Sequence, residues 1–376
     1  MDKVSPPFYT DEDWGKQDQK NIWGHYLSPK DTIIEFYLVN NGEPWGADDD
    51  TDIEYMYQHL LDKYNTSILS PEQIREGWLK HIYSNETAPS GENYLWVSNE
   101  TAYYLMIDGT LPPETSEPER NLNYSMIDAQ LTTEIFGVLC PARTDIALKM
   151  AHLPIRVTAK YDSEWVSKFY VSMHSLASKV DQELNTKEQI EWIATEARKV
   201  LPYDSYSARM FDFIQKSYIN NPDKNNWEKT RDQVFERYQL HSNDGYKYKN
   251  PFDSGINFAA SLVSLFYGEG DFKRTIQIGT LSGWDSDNPT ATWGGLLGFI
   301  LGKKKINRIF HNNISNDYWI HRTRKSFMDR TPNTKGEDTF EQLAKRAILI
   351  IDRVVIEELK GGVDLEKNLW YIPQPM

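Results

Sequence analysis

Four carboxylates stand within five positions in Gly46-Ala47-Asp48-Asp49-Asp50-Thr51-Asp52. Crowding of this kind raises carboxyl pKa values unless cations or the amides of a helix N-terminus offset the repulsion. Taken alone, the run also suits a solvated helix start, where acids are favoured in any case. A second cluster, Gly283-Trp284-Asp285-Ser286-Asp287-Asn288-Pro289-Thr290-Ala291, lies between two apolar segments in the most hydrophobic part of the chain. Carboxylates spaced i and i+2 point to opposite sides of a helix, but on a loop leading into one both can face a single ion. Pro289 favours such a loop, because the residue before a proline is pushed out of the α region. Oxygen donors of this type hold hard cations. An EF-hand is excluded, since the glycine and glutamate required at its sixth and twelfth loop positions are missing.

Other side chains offer less. His152, His174 and His241 have no partners at metal or triad spacing and read as histidines satisfied by their surroundings. Cys140 stands beside Pro141 without an activating neighbour and reads as structural. Asp48-Asp49-Asp50-Thr51-Asp52 also satisfies the DDxxD pattern of magnesium-dependent terpenoid enzymes. The second motif those enzymes need fails after Asn316-Asp317, where Ile320 and Arg324 replace a hydroxyl and an acid.

The elements that must position the acids are helical. The apolar spacing predicts an amphipathic helix over 52–61, entered through the first acidic cluster. Ser70-Pro71-Glu72-Gln73 supplies an N-cap, a proline at the first helical position and a capping-box glutamine. Further helices are expected from Asn99 to the Asp108-Gly109 stop and over 125–138, 144–151, 163–180, 186–200, 205–218, 226–238, 256–267, 272–281, 292–301 and 340–358. Strand signals are scarce. Residues 1–30 show no sustained period and read as irregular, with one short element around 21–26. Gly294, Gly298 and Gly302 share one helix face, read as close helix packing that would let the second acidic loop sit deep in a bundle.

At 376 residues, with 39% hydrophobic and 13% aromatic side chains, the chain can bury a substantial core. A formal charge of -14 argues against nucleic acid or anionic lipid as a main partner. One cysteine among 376 residues excludes an intrachain disulfide and a cysteine-rich zinc site. The longest apolar run, 294–302, is too short and glycine-rich to span a bilayer. The chain is expected to be soluble and cytoplasmic; the Asn-x-Ser/Thr tripeptides would be acceptors if it entered a secretory compartment behind a further N-terminal segment. Oligomeric state is not legible.

Asp48-Asp49-Asp50-Thr51 and Gly283-Trp284-Asp285-Ser286-Asp287, the latter followed by Trp293-Gly294-Gly295-Leu296-Leu297-Gly298, closely resemble the two signature motifs of the ADP-ribosylglycohydrolase family. That family includes the dinitrogenase-reductase-activating glycohydrolases and the J1 crystallins. Ile256-Asn257-Phe258-Ala259-Ala260 and Tyr267-Gly268-Glu269-Gly270-Asp271-Phe272 resemble the helix and glycine-aspartate turn that precede the second motif. Ile127-Asp128-Ala129-Gln130 and 137–142 resemble the middle of larger members, so the likeness spans roughly residues 45–305.

The resemblance implies an all-α, compact orthogonal multi-helix bundle, here one domain over 41–376 behind an irregular arm over 1–40. It implies two magnesium ions, with Asp48, Asp49 and Asp50 as one ligand group and Asp285, Asp287 and Asn288 as the other. Asp48 and Asn288 replace the family's usual threonine and hydroxyl or small residue, and both still offer oxygen. The implied reaction is hydrolysis at the anomeric carbon of ADP-ribose joined to a protein or a small molecule. Asp285 and Asp287 would hold metal, Asp49 and Asp50 would orient metal and water, and one of Asp49, Asp50 and Asp287 would act as base. Trp284, Tyr161, Trp165 and Gly283 are the candidates for contact with adenine and ribose. The glycine-rich first helix of the family has no counterpart in 1–40, so a second reading is a catalytically silent, ADP-ribose-binding or structural relative.

Overall fold

The computed structural model describes residues 3–20, 24, 33–40, 42–89, 91–319, 325 and 337–374. Apart from Gly24, the short element expected over 21–26 lies outside them, as do Ile320 and Arg324. The chain forms two compact units, Met1–Tyr37 with Val180–Ile306 and Leu38–Lys179 with Asn307–Met376.

The fold is all-α. In chain order the helices are α1 (Asp49–Lys63), α2 (Pro71–His81), α3 (Val97–Ile107), α4 (Asp128–Thr132), α5 (Ile135–Val138), α6 (Thr144–Ile155) and α7 (Asp162–Ala177). They continue as α8 (Thr186–Ala197), α9 (Tyr206–Asn220), α10 (Glu228–Val234), α11 (Ser254–Gly268), α12 (Phe272–Leu281), α13 (Asp287–Leu301), α14 (Lys303–Phe310) and α15 (Phe340–Glu357). Two antiparallel ribbons pair β1 (Asp317–Trp319) with β2 (Glu337–Thr339) and β3 (Gly362–Asp364) with β4 (Leu369–Tyr371).

In the unit containing α1 to α7 and α15, Ile53, Met56, Tyr57, Leu60 and Leu61 bury one side of α1 in a core shared with Trp78 of α2 and with Ile350, Val354 and Val355 of α15. Because each apolar contact of α1 is tied to its rotation, the core fixes where the acids at its start point. α2 begins as its sequence predicts: Ser70 Oγ accepts the Gln73 N–H at 3.2 Å and Gln73 Oε1 accepts the Ser70 N–H at 2.9 Å. The single helix expected over 125–138 is instead two short ones. Thr132 Oγ1 donates to the Asp128 carbonyl at 3.0 Å and Thr133 Oγ1 to the Ala129 carbonyl at 2.6 Å, and Thr133 leaves helical geometry with φ -127° and ψ 0°. Paired back-bonding hydroxyls of this kind bend or end a helix.

In the other unit α11 is buried along its whole length and packs against α9, α12 and α13, as a helix apolar on all sides should. Hydrogen bonds stitch the layer together: Ser264 Oγ donates to the Thr275 carbonyl at 2.7 Å, and the Ser261 backbone carbonyl accepts the Trp293 indole N–H at 2.8 Å. The N-terminal segment, expected as an appendage, buries Phe8 and Tyr9 here. The expected glycine face on α13 does not make close helix contact. A Cβ at Gly298 or Gly302 would meet no described atom within 4 Å, and one at Gly294 would meet only Ile276 Cδ1 at 3.3 Å. The close approaches fall elsewhere, at Gly137 of α5, whose Cβ would stand 2.2 Å from the Val171 carbonyl of α7, and at Gly268, 2.1 Å from Thr275 Oγ1.

Gly137→Ala should therefore destabilise the fold by about 1–3 kcal/mol through overpacking, whereas Gly298→Ala should stabilise it by up to about 1 kcal/mol by raising helix propensity. Urea unfolding of the two variants checks the pair, and equal effects would refute the packing assignment.

Candidate functional site

The first acidic motif opens α1. Asp48 is its N-cap, with Oδ1 accepting the Thr51 N–H at 2.8 Å, so the capping bond uses one carboxylate oxygen while the side chain stays exposed. Asp49 and Asp50 occupy the first two helical positions, three residues earlier than the apolar spacing predicts for the helix start. Asp49 is buried and Asp50 half-buried. Burial lifts the Asp49 carboxyl well above the usual carboxylate range, and Asp48 and Asp128 add to the rise; its own backbone amide and that of Trp96 pull the other way. The positive end of α1 offsets only part of the penalty.

Two acids that the sequence motifs do not single out as ligands belong to the same surroundings. Asp128, at the start of α4, is buried and accepts the Asn99 N–H at 3.1 Å, and its pKa is raised by burial against hydrogen bonds from Ser98 and Asn99. Glu54, mostly buried, accepts the Ile135 N–H at 2.8 Å and is raised from 4.5 to about 7, first by burial and then by Asp48. Asn99 and Gln130, each 1% exposed, hold side-chain amides with no hydrogen-bond partner among the described residues. The signal for Glu54 is its spacing, since it stands four residues after Asp50, one turn along the same helix face. Asp128 is marked in the sequence only by the family resemblance of its segment.

The second motif straddles the entrance of α13. Asp285 lies on the loop, half-buried, and its N–H donates to Asn257 Oδ1 on α11 at 3.0 Å. Asn257 is itself fixed by donating to the carbonyls of Pro251 at 2.8 Å and Asp253 at 2.9 Å. Asp287, exposed, is already the first residue of α13, five residues ahead of the expected start, and Asn288 is the second. Pro289 therefore sits inside the first turn of the helix, where its missing N–H is no loss. Asn288 is 1% exposed, with Nδ2 unpartnered among the described residues and Oδ1 3.5 Å from Thr292 Oγ1.

The aromatic candidates separate. Trp284 is 0% exposed, its indole N–H donates to Gln239 Oε1 at 2.7 Å, and its ring lies 5.3 Å from that of Phe8; it is a packing residue rather than an open platform. Gly283 is likewise covered, with the Lys3 carbonyl against it. Trp165 is half-buried under the Lys168 ammonium, 4.1 Å from the ring centre. Tyr161 is 56% exposed, edge-on to Tyr124 at 5.9 Å, with the Lys160 ammonium 5.2 Å from its ring centre.

His174 and Cys140 are both buried. His174 Nδ1 lies 2.9 Å from the Tyr170 carbonyl, and burial lowers the His174 pKa to about 4. Burial pushes the Cys140 thiol up to about 12, far from a reactive range. Among the described residues no three His, Cys, Asp or Glu side chains form a ready-made cation cage, and no helix is long and apolar enough to cross a membrane. The donor chemistry nevertheless suits a hard cation, because crowded carboxylates with raised proton affinity are the electrostatic situation that positive charge relieves.

A carboxyl whose folded pKa stands above its unfolded value stabilises the fold fully below the unfolded pKa and loses that contribution as pH rises through the folded one. For Glu54 this window runs from 4.5 to about 7. Without divalent cation, the intact chain should lose roughly 2–3 kcal/mol relative to Glu54→Gln between pH 5 and pH 8. Urea unfolding at the two pH values measures this, and parallel pH profiles would refute it.

No curated protein matches the chain significantly. A solved structure titled "ADP-ribosylglycohydrolase-related protein complex" is similar to it at 13% identity with a TM-score of 0.47, over 81% of this chain and 82% of that one. The family profile described as ADP-ribosylglycohydrolase matches residues 12–339, a span that holds both acidic motifs and every helix from α1 to α14. The chain therefore belongs to the ADP-ribosylglycohydrolase family.

Proposed function

We propose that this chain is a divalent-cation-dependent glycohydrolase that releases ADP-ribose from a modified protein or small molecule. The observation that supports the reading best is the pair of aspartate motifs, each placed at the opening of a helix inside the span matched by the family. Asp48, Asp49 and Asp50 on one motif and Asp285, Asp287 and Asn288 on the other are the oxygen donors for two magnesium ions, with manganese as a substitute. Bound ions supply Lewis acidity, orienting ribose hydroxyls and lowering the pKa of a water.

The chain's own groups do the rest. Asp49, whose buried carboxyl has raised proton affinity, takes the proton of the attacking water as an oxocarbenium-like centre develops. Asp50 and Asp287 are the alternative bases. The half-buried Asp285, its backbone held by Asn257, presents a fixed carboxylate. Tyr161, more than half exposed, is the stacking partner for adenine.

A second reading draws on the segment before Asp49, where helical backbone among the described residues is confined to the 3-10 turn Asp11–Asp13. A relative without the family's first helix would bind ADP-ribose and not turn it over.

Calorimetric titration of the intact chain with magnesium and then ADP-ribose should show cation-dependent binding, weakened at least tenfold in both Asp49→Ala and Asp285→Ala. Failure of the intact chain to bind either would sink the glycohydrolase reading. Binding without release of ADP-ribose from any conjugate would favour the silent relative.

A further inference from the structure

The backbone enters the second motif in a conformation that side chains seldom adopt. Gly283 has φ +96° and Trp284, a bulky residue, has φ +54°; the left-handed region costs a non-glycine residue roughly 1–2 kcal/mol. Strain of this kind persists only where the surroundings over-determine it. Here the surroundings come from the N-terminal segment of the same unit, some 280 residues away in sequence.

The Lys3 carbonyl accepts the Trp284 N–H at 2.8 Å. That carbonyl also lies directly on Gly283, where a Cβ would stand 2.5 Å from it and 3.1 Å from the Phe8 ring. Gln239 serves both partners: its Oε1 accepts the Trp284 indole N–H at 2.7 Å and its Nε2 donates to the Val4 carbonyl at 2.9 Å. Gln239 reaches them from a π-helical turn, Phe235–Leu240, whose Phe235 ring meets Phe8 edge-on at 5.3 Å; such turns recur at functional sites. Arg231, 2% exposed, donates to the Tyr9 carbonyl at 2.9 Å and lies 3.5 Å from the Leu281 carbonyl, with its guanidinium 4.6 Å from the Phe8 ring centre. Further along, Asp11 Oδ1 accepts from Arg274 at 2.6 Å and from the Trp227 indole at 3.1 Å.

We infer that residues 3–9 form a strap that sets the position of Asp285 and Asp287, with Gln239 and Arg231 as the positioning residues that bind strap and motif together. The inference rests on the reading of those aspartates as cation donors. Asp285 is then held from two sides, by Asn257 through its own N–H and by the strap through Trp284. A carboxylate donor is useful only if its backbone is held within a few tenths of an ångström of the productive geometry, and the strap supplies that restraint where the local sequence alone would favour another turn.

The test uses full-length Gln239→Leu, which loses both amide bonds, Gln239→Glu, which keeps the acceptor for the indole and loses the donor to Val4, and Gly283→Ala, which drives a methyl into the Lys3 carbonyl. Amide hydrogen exchange over 281–290 reads the strap with no metal present, with 255–265 on α11 as the internal reference, and magnesium titration reads its consequence. Exchange over 281–290 should accelerate at least tenfold in Gln239→Leu and Gly283→Ala with the α11 reference unchanged, magnesium affinity should fall at least tenfold in both, and Gln239→Glu should lie between them and the intact chain. Unchanged exchange would overturn the strap itself. Faster exchange with unchanged magnesium affinity would overturn its positioning role. Faster exchange in a chain that binds no magnesium even when intact would remove the cation reading and with it that role, while leaving the clamp as a structural fact.

Discussion

Crowded carboxylates must be answered by positive charge or by N–H groups, and both acidic motifs are built on that constraint. Each opens a helix. Asp48 caps α1 through the Thr51 N–H, Asp49 and Asp50 follow as its first residues, and Asp287 is the first residue of α13, so the positive end of a helix faces each group of acids. The answer is partial. Asp49 keeps a raised proton affinity because burial outweighs the amides directed at it, and that remainder is what a cation can relieve. The rest of α1 serves the same end: one residue's rotation, about 100° in a 3.6-residue helix, would carry Ile53, Met56 and Leu60 out of the core.

Helix starts are the most legible feature of the sequence wherever their signal is local. Ser70 caps α2 as its capping box predicts, Asn185 precedes α8 at the expected first residue, and α12 has the expected bounds. Legibility fails where hydrogen bonds compete with apolar period. Thr132 and Thr133 divide one expected helix into two, and α1 and α13 begin earlier than their apolar residues indicate because polar residues fill their first turns. The glycines of α13 mislead for a related reason. A face of small residues permits close approach without requiring it, and the approach occurs instead at Gly137 and Gly268.

Among the site residues, the aspartates are legible because acid clusters are visible at any distance from their partners. Trp284 is not. Its type and place beside Asp285 suggest a ligand platform, yet a ring that hydrogen-bonds Gln239 and packs on Phe8 spends its surface on the protein. Nothing local shows this, because Phe8 and Gln239 are remote in sequence and the N-terminal segment has no period to read. Glu54 and Asp128 are hidden in a milder way: burial, which no single residue type reveals, is what raises their proton affinity.

The two motifs differ in what holds them, and the difference has consequences for how each can be disturbed. The first is an extension of a core helix, so whatever misplaces Asp49 must also unsettle Met56, Leu60 and their neighbours, and loss of position comes with loss of stability. The second is set by hydrogen bonds to an irregular segment and by a strained residue between two clamps. The Trp284 ring is buried against Phe8, while its backbone is fixed by the Lys3 carbonyl and its indole by Gln239, and single polar bonds of this kind can be removed without emptying the core around them. Position and stability are therefore coupled at Asp49 and separable at Asp285. Arg231 sits where the distinction is sharpest. Its guanidinium is buried beside Phe8 and bonded to the Tyr9 carbonyl, so shortening it would leave a carbonyl unpaired and a charge-sized gap under the strap while the helices around it stay packed.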